Sequence, residues 1–484
     1  MKKTIFQTIL ALFITFSLEA QQDIMMHSIP QVFQSSYVNP AYDYGSRIHL
    51  GLPFMSSISA HHQNTIFNPS RLFTVSEGKT VLDTDYFLTN IRDENYLGVD
   101  LAADVLSFGM PIEAHYISLA IRERVSAQIT LPGDMLRFPF TGNASFDDTG
   151  NVLDFSGLAI DLNRYMEYGF GWQFDTKSGW YLGARVKYLQ GQENITTGTS
   201  NITWTTDLET YTWSYQGELD IRTSGVSYLI DSLSGNGVLE NGNFTRAIFS
   251  GQNSGYGIDF GIGKDFTDRF SVYASIVDLG KINWKKGNQN FNAQGGEFSF
   301  VGIELTEAML GADSSFSDSL DSTIDDLLNS LNSTLNTKKN SYSYSSGLRT
   351  RVHLNANYKV LKKEAMTGTI GLVIQADLFN GPEMPSFTLM YSHEFKGRLN
   401  AALSYSIADR DFSNLGLALC LKSGPILFYT TFDNLLWLNM TSISYDDQKP
   451  SNYPSYSRNA SIHLGMNLIL GKAQSYKNTN PRLN

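Results

Sequence analysis

The stretch Tyr116-Ile117-Ser118-Leu119-Ala120-Ile121-Arg122-Glu123-Arg124-Val125-Ser126-Ala127-Gln128-Ile129 decides the fold. Ile117, Leu119, Ile121, Val125, Ala127 and Ile129 share one parity. Tyr116, Ser118, Arg122, Arg124, Ser126 and Gln128 share the other, and Glu123 is the only intruder on the apolar side. A period of two is a strand with one apolar and one polar face. An ordinary strand has about five or six residues; this run is more than twice that, long enough to cross a bilayer at a tilt. Its polar face carries arginines at its centre. In a β-sandwich such a face meets bulk solvent; in a transmembrane barrel it meets a wet lumen, and strand length favours the barrel.

The same alternation recurs along the chain. Trp180, Leu182, Ala184, Val186 and Tyr188 oppose Gly183, Arg185 and Lys187. Leu399, Ala401, Leu403, Tyr405 and Ile407 oppose Arg398, Asn400, Ser404 and Ser406. Leu415, Leu417, Leu419 and Leu421 oppose Gly416, Ala418 and Cys420, and Ile462 to Leu470 repeats the pattern. Short connections at 110–113, 175–179, 264–268, 361–367, 394–397 and 422–425 alternate with long ones at 64–95, 131–152, 190–254, 285–346 and 435–457. This spacing predicts strands near 47–62, 96–110, 114–130, 153–174, 180–190, 255–264, 268–284, 347–360, 368–379, 386–395, 398–407, 411–421, 425–434 and 458–471. The fold class is therefore all-β: a closed antiparallel transmembrane β-barrel of about 14 strands, with both termini on the short-turn, periplasmic side. Sixteen strands result if the Thr/Trp-rich stretch 201–222 adds a hairpin. Pro53 falls inside the first strand, where it removes a ladder donor.

Composition agrees. Charged residues are 17% of the 484-residue chain and aromatics 13%, with 25 Tyr, 30 Phe and 40 Gly, which excludes a disordered chain and disfavours a helical bundle. The net charge of -11 argues against a nucleic-acid partner, which requires clustered cations. Cys420 is the only cysteine, so neither an internal disulfide nor a cysteine-based zinc site can form.

Residues 1–20 read as a secretory signal peptide: Met1-Lys2-Lys3, then an apolar run to Leu18, with cleavage after Ala20. Residues 21–46 precede the first strand and contain Asn39-Pro40-Ala41; they are expected to form a periplasmic or lumen-plugging segment. The barrel is expected over 47–471 and a polar periplasmic tail over 472–484. Ile324, Leu327, Leu328, Leu331 and Leu335 fall at helical spacing inside a Ser/Asn/Asp-rich loop and predict a short amphipathic helix capping the barrel.

Chemical motifs are nearly absent. Gly255-Tyr256-Gly257-Ile258-Asp259-Phe260-Gly261-Ile262-Gly263 is glycine-rich, but its glycines alternate with large apolar residues in a strand instead of opening a helix. His61 and His62 are adjacent in a strand and point to opposite faces. Asp83, Asp85, Asp93 and Glu94 do not match an EF-hand spacing. Cys420 lies on a small-residue face with Lys422 as its nearest cation. No catalytic residue, cofactor-binding residue or metal ligand is assigned, and the chain is read as a non-enzyme without cofactor. Two lumen charge pairs are expected from the loop positions, Arg122 with Asp161 and Lys187 with Glu167, as a structural ladder or a selecting constriction. Trp172, Trp180, Tyr188, Tyr405 and Trp437 lie near strand ends and are expected in aromatic girdles at the lipid headgroups.

Gln21-Gln22-Asp23, Asn39-Pro40-Ala41-Tyr42, Gly51-Leu52-Pro53, the run Gly183 to Gly191 and the run Asp278-Leu279-Gly280-Lys281-Ile282-Asn283-Trp284 together resemble the pattern of exported Bacteroidota barrels. The likeness spans nearly the whole mature chain. It is to a family of uncharacterised outer-membrane proteins, a domain of unknown function, with a looser similarity to the PorP/SprF group and an architectural one to FadL/PorV barrels. The polar tail Lys472 to Asn484, in place of a terminal aromatic residue, departs from common barrels. The resemblance implies the outer membrane as location and its lipid as partner. It implies either a FadL-like conduit with a small or hydrophobic ligand, or a structural partner of a secretion or surface-adhesion machine.

Overall fold

The computed structural model describes residues 23–42, 47–66, 72–76, 79–141, 152–176, 178–207, 209, 213–226, 252–294, 298–300, 338–378, 384–408, 411–438, 440–443, 451–454 and 459–471. Residues 1–20, the stretch 472–484 and the helical spacing at 324–335 lie outside the described residues.

The chain is a closed antiparallel barrel of 14 strands. The wall strands are β1, in two pieces (Ile48–Gly51 and Ile58–Asn64), β2 (Glu94–Ile112), β3 (His115–Pro132), β4 (Ala159–Asp175), β5 (Trp180–Thr206), β6 (Asn253–Asp265) and β7 (Phe270–Trp284). They continue with β8, also in two pieces (Tyr344–Gly347 and Thr350–Lys363), β9 (Met366–Leu378), β10 (Met384–Phe395), β11 (Leu399–Ala408), β12 (Asp411–Ser423), β13 (Ile426–Phe432) and β14 (Asn459–Leu470). Each pairs with the next, and β1 closes the ring: Ile48 faces Leu470 of β14, and His49 faces Gly109 of β2. Closure leaves no wall strand with an unpaired edge, the condition for a sheet to stand in hydrocarbon.

The alternation sorts the side chains inside out. Leu119, Val186, Leu389, Leu403 and Leu421 face outward and exposed, whereas Asp104, Glu167, Gln375 and Asn467 face inward and are fully buried. Pro53 has its expected effect. The first strand breaks over residues 52–57, Phe54 turns to φ +57, and neighbouring strands bridge the gap through Phe54 N–H to Asp104 O at 2.8 Å and Met466 N–H to Met55 O at 2.7 Å.

Two sequence expectations need correction. The stretch 201–222 does form a hairpin, but it adds no wall strands. The first half of β5 pairs with β6, and its second half (Asn194 to Thr206) pairs with Trp213–Ser224 above the ring. Thr196-Thr197-Gly198-Thr199-Ser200-Asn201-Ile202-Thr203-Trp204-Thr205-Thr206 has no apolar face to offer lipid, so it extends the wall into water. The loop after β3 is longer than expected. The helix Gly133–Thr141 and the short strand Val152–Asp154 occupy it, and β4 begins only at Ala159. Asp83, from the acidic loop, caps the helix Thr84–Asn90 by accepting from the Tyr86 amide at 2.8 Å.

Trp172, Trp180, Tyr188 and Tyr405 all lie outward and exposed. Trp172 and Trp180 flank a short turn. Tyr188 sits in register between Tyr168 and Tyr256. On β5, Trp180 and Tyr188 are about 20 Å apart along the barrel axis, from a strand rise near 3.3 Å at a tilt near 40°. That separation suits the apolar band of a membrane. Trp437 belongs to the turn Leu435–Leu438, and its side chain lies outside the described residues. Lipids brominated near the headgroup are expected to quench Trp172 and Trp180 fluorescence in reconstituted protein. Quenching by aqueous acrylamide alone would remove both from the interface.

Candidate functional site

Asp23 to Tyr42 sits inside the barrel. Two short turns of 3-10 helix, Ile24–Ser28 and Phe33–Tyr37, are tied by hydroxyls: Ser28 Oγ donates to Met25 O at 2.7 Å and Ser35 Oγ to Ile29 O at 2.8 Å. These bonds satisfy carbonyls that a helix of this length leaves open. One side of the segment is apolar. Met25, Met26, Ile29 and Val32 pack on Ala402, Ala418, Cys420, Leu427 and Tyr429 of β11–β13. The other side is polar. Gln34 exchanges hydrogen bonds with Asn467 and donates to Asp104, and Tyr37 donates to Asp104 at 2.8 Å. The guanidinium groups of Arg122 and Arg185 lie 3.7 and 4.4 Å from the Tyr37 ring centroid.

Asn39-Pro40-Ala41 is the seat of this segment. Asn39 Oδ1 accepts from the Ala41 amide at 2.9 Å, an Asx turn. The turn lies against Gly183 and Gly261, where a Cβ would collide with Pro40 and Asn39. The alternating glycines of β5 and β6 therefore leave room for backbone to approach backbone.

Beyond the segment the lumen is crossed by ion pairs. Asp278 accepts from Arg124 at 2.8 Å, Lys187 at 2.6 Å and Arg351 at 3.0 Å. Its backbone is left-handed, with φ +61, and its amide donates to Asp259 at 2.7 Å. Lys187 also meets Asp259 at 2.6 Å, Arg185 meets Glu167 at 3.0 Å, and Arg122 meets Asp104 at 3.2 Å. Five cations (Arg122, Arg124, Arg185, Lys187, Arg351) stand among five carboxylates (Asp23, Asp104, Glu167, Asp259, Asp278). Charges this far from water are tolerable only when matched.

Lys187 lies 3.9 Å from Glu167, although its shorter contacts are to Asp259 and Asp278. Arg122 does not meet Asp161. Across β3 and β4 it faces Glu167, while Asp161 faces Gln128 and accepts from Thr196 at 2.7 Å. The six-residue offset is the length absorbed by the loop after β3. Sequence reasoning missed Asp23, Asp104, Asp259 and Asp278 as lumen acids. The signal was available for Asp104 and Asp259, which fall on the small or polar parity of their strands, whereas Asp278 shares the parity of Phe270, Val272 and Ile276 and is turned inward by the register shift between β6 and β7. Glu123, the intruder on the apolar face, meets Arg164 at 2.8 Å and Gln192 at 3.1 Å on the outside of the wall.

Asp23 joins the lumen segment to the wall, 3.4 Å from His463 and 3.9 Å from Arg351. Burial pushes its carboxyl up, but His463 and Arg351 outweigh that and hold it well below the usual range. Burial, reinforced by Arg351 and opposed by Asp23, pushes His27 down to about 3. Its Nδ1 shares a hydrogen bond with Tyr42 OH at 2.5 Å, and its ring lies 5.0 Å from that of His353.

The sequence profile of a family of unknown function, DUF5723, matches residues 40–433. The chain belongs to that family. No curated protein matches it in sequence. Among solved structures it is similar to the toluene transporter TbuX of Ralstonia pickettii, at 7% identity and TM-score 0.38 over 94% of this chain and 96% of that one. It is also similar to the toluene transporter TodX of Pseudomonas putida, at 9% identity and TM-score 0.33 over 94% and 98%. A FadL homologue of Pseudomonas aeruginosa matches at 8% identity and TM-score 0.31 over 93% and 98%.

Asp278→Asn keeps the shape and tolerates the left-handed backbone, but it leaves three cations facing a neutral group. It is expected to destabilise the barrel by about 3 kcal/mol or more, measured by urea unfolding in detergent; a loss no larger than that of a surface Asp→Asn would refute the lattice. A second expectation concerns acid. The His27 value is lowered, so docking of the lumen segment loses stability as pH falls from 6.5 toward 3. Burial pushes Asp433, beside the Met25 amide, up to about 7, which acts with the opposite sign. Comparing wild type with His27→Asn isolates the His27 contribution. Protease sensitivity of residues 23–42 should rise more steeply with acid in wild type, and equal profiles would refute it.

Proposed function

We propose that the protein is an outer-membrane β-barrel acting as a gated conduit for small or hydrophobic molecules, with residues 23–42 as its hatch. One observation carries the reading. The hatch is a separate segment upstream of β1, seated through side-chain contacts and belonging to no wall strand. Its bed on β9–β13 is built unevenly. It offers the hatch an apolar surface of Ala402, Ala418, Met390 and Val373, set among the buried polar side chains Gln375, Ser386, Ser404 and Thr431. The methionines Met25, Met26 and Met390 adapt their shape to different occupants, which suits an apolar solute.

A cysteine pair at Gln34 and Asn467, in a Cys420→Ser background, would lock the hatch to the wall. Reconstituted protein is expected to pass a small aromatic solute only when the lock is reduced, and a barrel lacking residues 23–42 is expected to pass it continuously. A hatchless barrel no more permeable than the intact one would overturn the conduit.

The scaffold reading rests on a different observation: ion pairs and hatch together occupy much of the inward face of the wall. On that reading the protein is a structural partner of a secretion or surface-adhesion machine of the PorP/SprF type, and the projecting β5 hairpin is its contact. Native pull-down would then recover a stoichiometric partner that is lost when residues 196–222 are shortened.

A further inference from the structure

A cavity of about 170 Å³ opens at the short-turn end of the barrel, on the opposite side of the lumen segment from the ion lattice. Arg47 before β1, Arg398 in the turn before β11, and Lys422 at the end of β12 line it, with Glu394 as the only carboxylate. Among the described residues none of the three cations is paired with an acid, in contrast to the matched charges deeper in the lumen. Asn400 forms part of the same wall and is 95% buried, since its exposure is 5%. Its Nδ2 donates to Ser28 O at 3.3 Å, while its Oδ1 has no partner among the described residues. Gln31 of the hatch forms the roof and reaches the Cys420 thiol.

Unmatched cations call for an anion, and a buried acceptor without a donor calls for a hydroxyl or N–H. We propose that this cavity binds a carboxylate carrying a hydrogen-bond donor on the adjacent carbon: a 2-hydroxy or 2-amino acid, or the C-terminal residue of a peptide. The carboxylate faces Arg398, Lys422 and Arg47, and the donor meets Asn400 Oδ1. A cavity of this size holds a solute of roughly six heavy atoms, the size of lactate. The site is independent of whether the lumen conducts.

Cys420 is the only thiol in the chain and borders the cavity, so its conversion to a methyl disulfide, with release of methanesulfinate, reports occupancy. Detergent-solubilised full-length protein is treated with methyl methanethiosulfonate in the presence of lactate, propionate, inorganic phosphate or N-acetyl-alanyl-alanine. Lactate is expected to protect Cys420 at concentrations at least about tenfold lower than propionate, which lacks the hydroxyl, as one hydrogen bond to a buried acceptor is worth that much. In Asn400→Ala that preference is expected to vanish while propionate protection remains. The double variant Arg398→Gln, Lys422→Gln, with both changes at the rim, is expected to lose protection by either acid while keeping heat-modifiable migration. Stronger protection by the peptide than by lactate assigns the source as a chain terminus; the reverse assigns free acids. Protection by phosphate equal to that by lactate, protection unchanged in the double variant, or a lactate preference that survives in Asn400→Ala would each overturn the proposal.

Discussion

A closed sheet of 14 strands encloses a space that must be either wet or filled, and the polar parity of every strand points into it. Everything else in this protein follows from how that space is occupied. The chain fills it with its own upstream segment on one side and with opposite charges on the other. Neither works alone. The segment brings one acid, Asp23, against Arg351 and His463, and the wall brings Arg122 and Arg185 over Tyr37. Removing water from five cations is tolerable because five carboxylates lie within the same volume, and the left-handed backbone at Asp278 presents one of them to three cations at once.

The wall was legible in the sequence because its signal is periodic and long. The outward leucines of β11, β12 and β14 and the short turns between them fixed strand positions to within a few residues, and β3 gave its inner and outer faces directly. The hairpin at 201–222 was visible as an ambiguity. It was not legible as an extension, because a ladder of Thr and Asn forms a strand equally well in a wall or above it, and only the absence of an apolar face distinguishes the two.

Cross-strand partners were much less legible than strands. Parity survives a register error of any even number of residues, so Arg122 and Asp161 both point inward even though they lie on different rungs. The register depends on loop length, and the loop after β3 hides a helix and a short strand that consume residues without periodic warning. Asp259 lies in the glycine-rich run and Asp278 in the run Asp278 to Trp284, and neither run shows a partner for its acid. Their role needs three strands at once: β5 supplies Lys187, β3 supplies Arg124 and β8 supplies Arg351. No one-dimensional pattern holds that information. The Asn39-Pro40-Ala41 seat was read as a possible plug from its position before β1, but its partners, Gly183 and Gly261, lie more than 140 residues away along the chain.

The closing seam between β1 and β14 has a consequence for how the molecule is made. The lumen segment precedes β1, yet its contacts come from strands as late as β13 and β14. A ring sealed first would have to admit this segment, already folded, through its mouth. A sheet still open can instead wrap around it, strand by strand, with Arg351 of β8 meeting Asp23 already in place. The upstream segment then acts as a mandrel: it sets the curvature of the growing sheet and lowers the entropy lost when the two most distant strands meet.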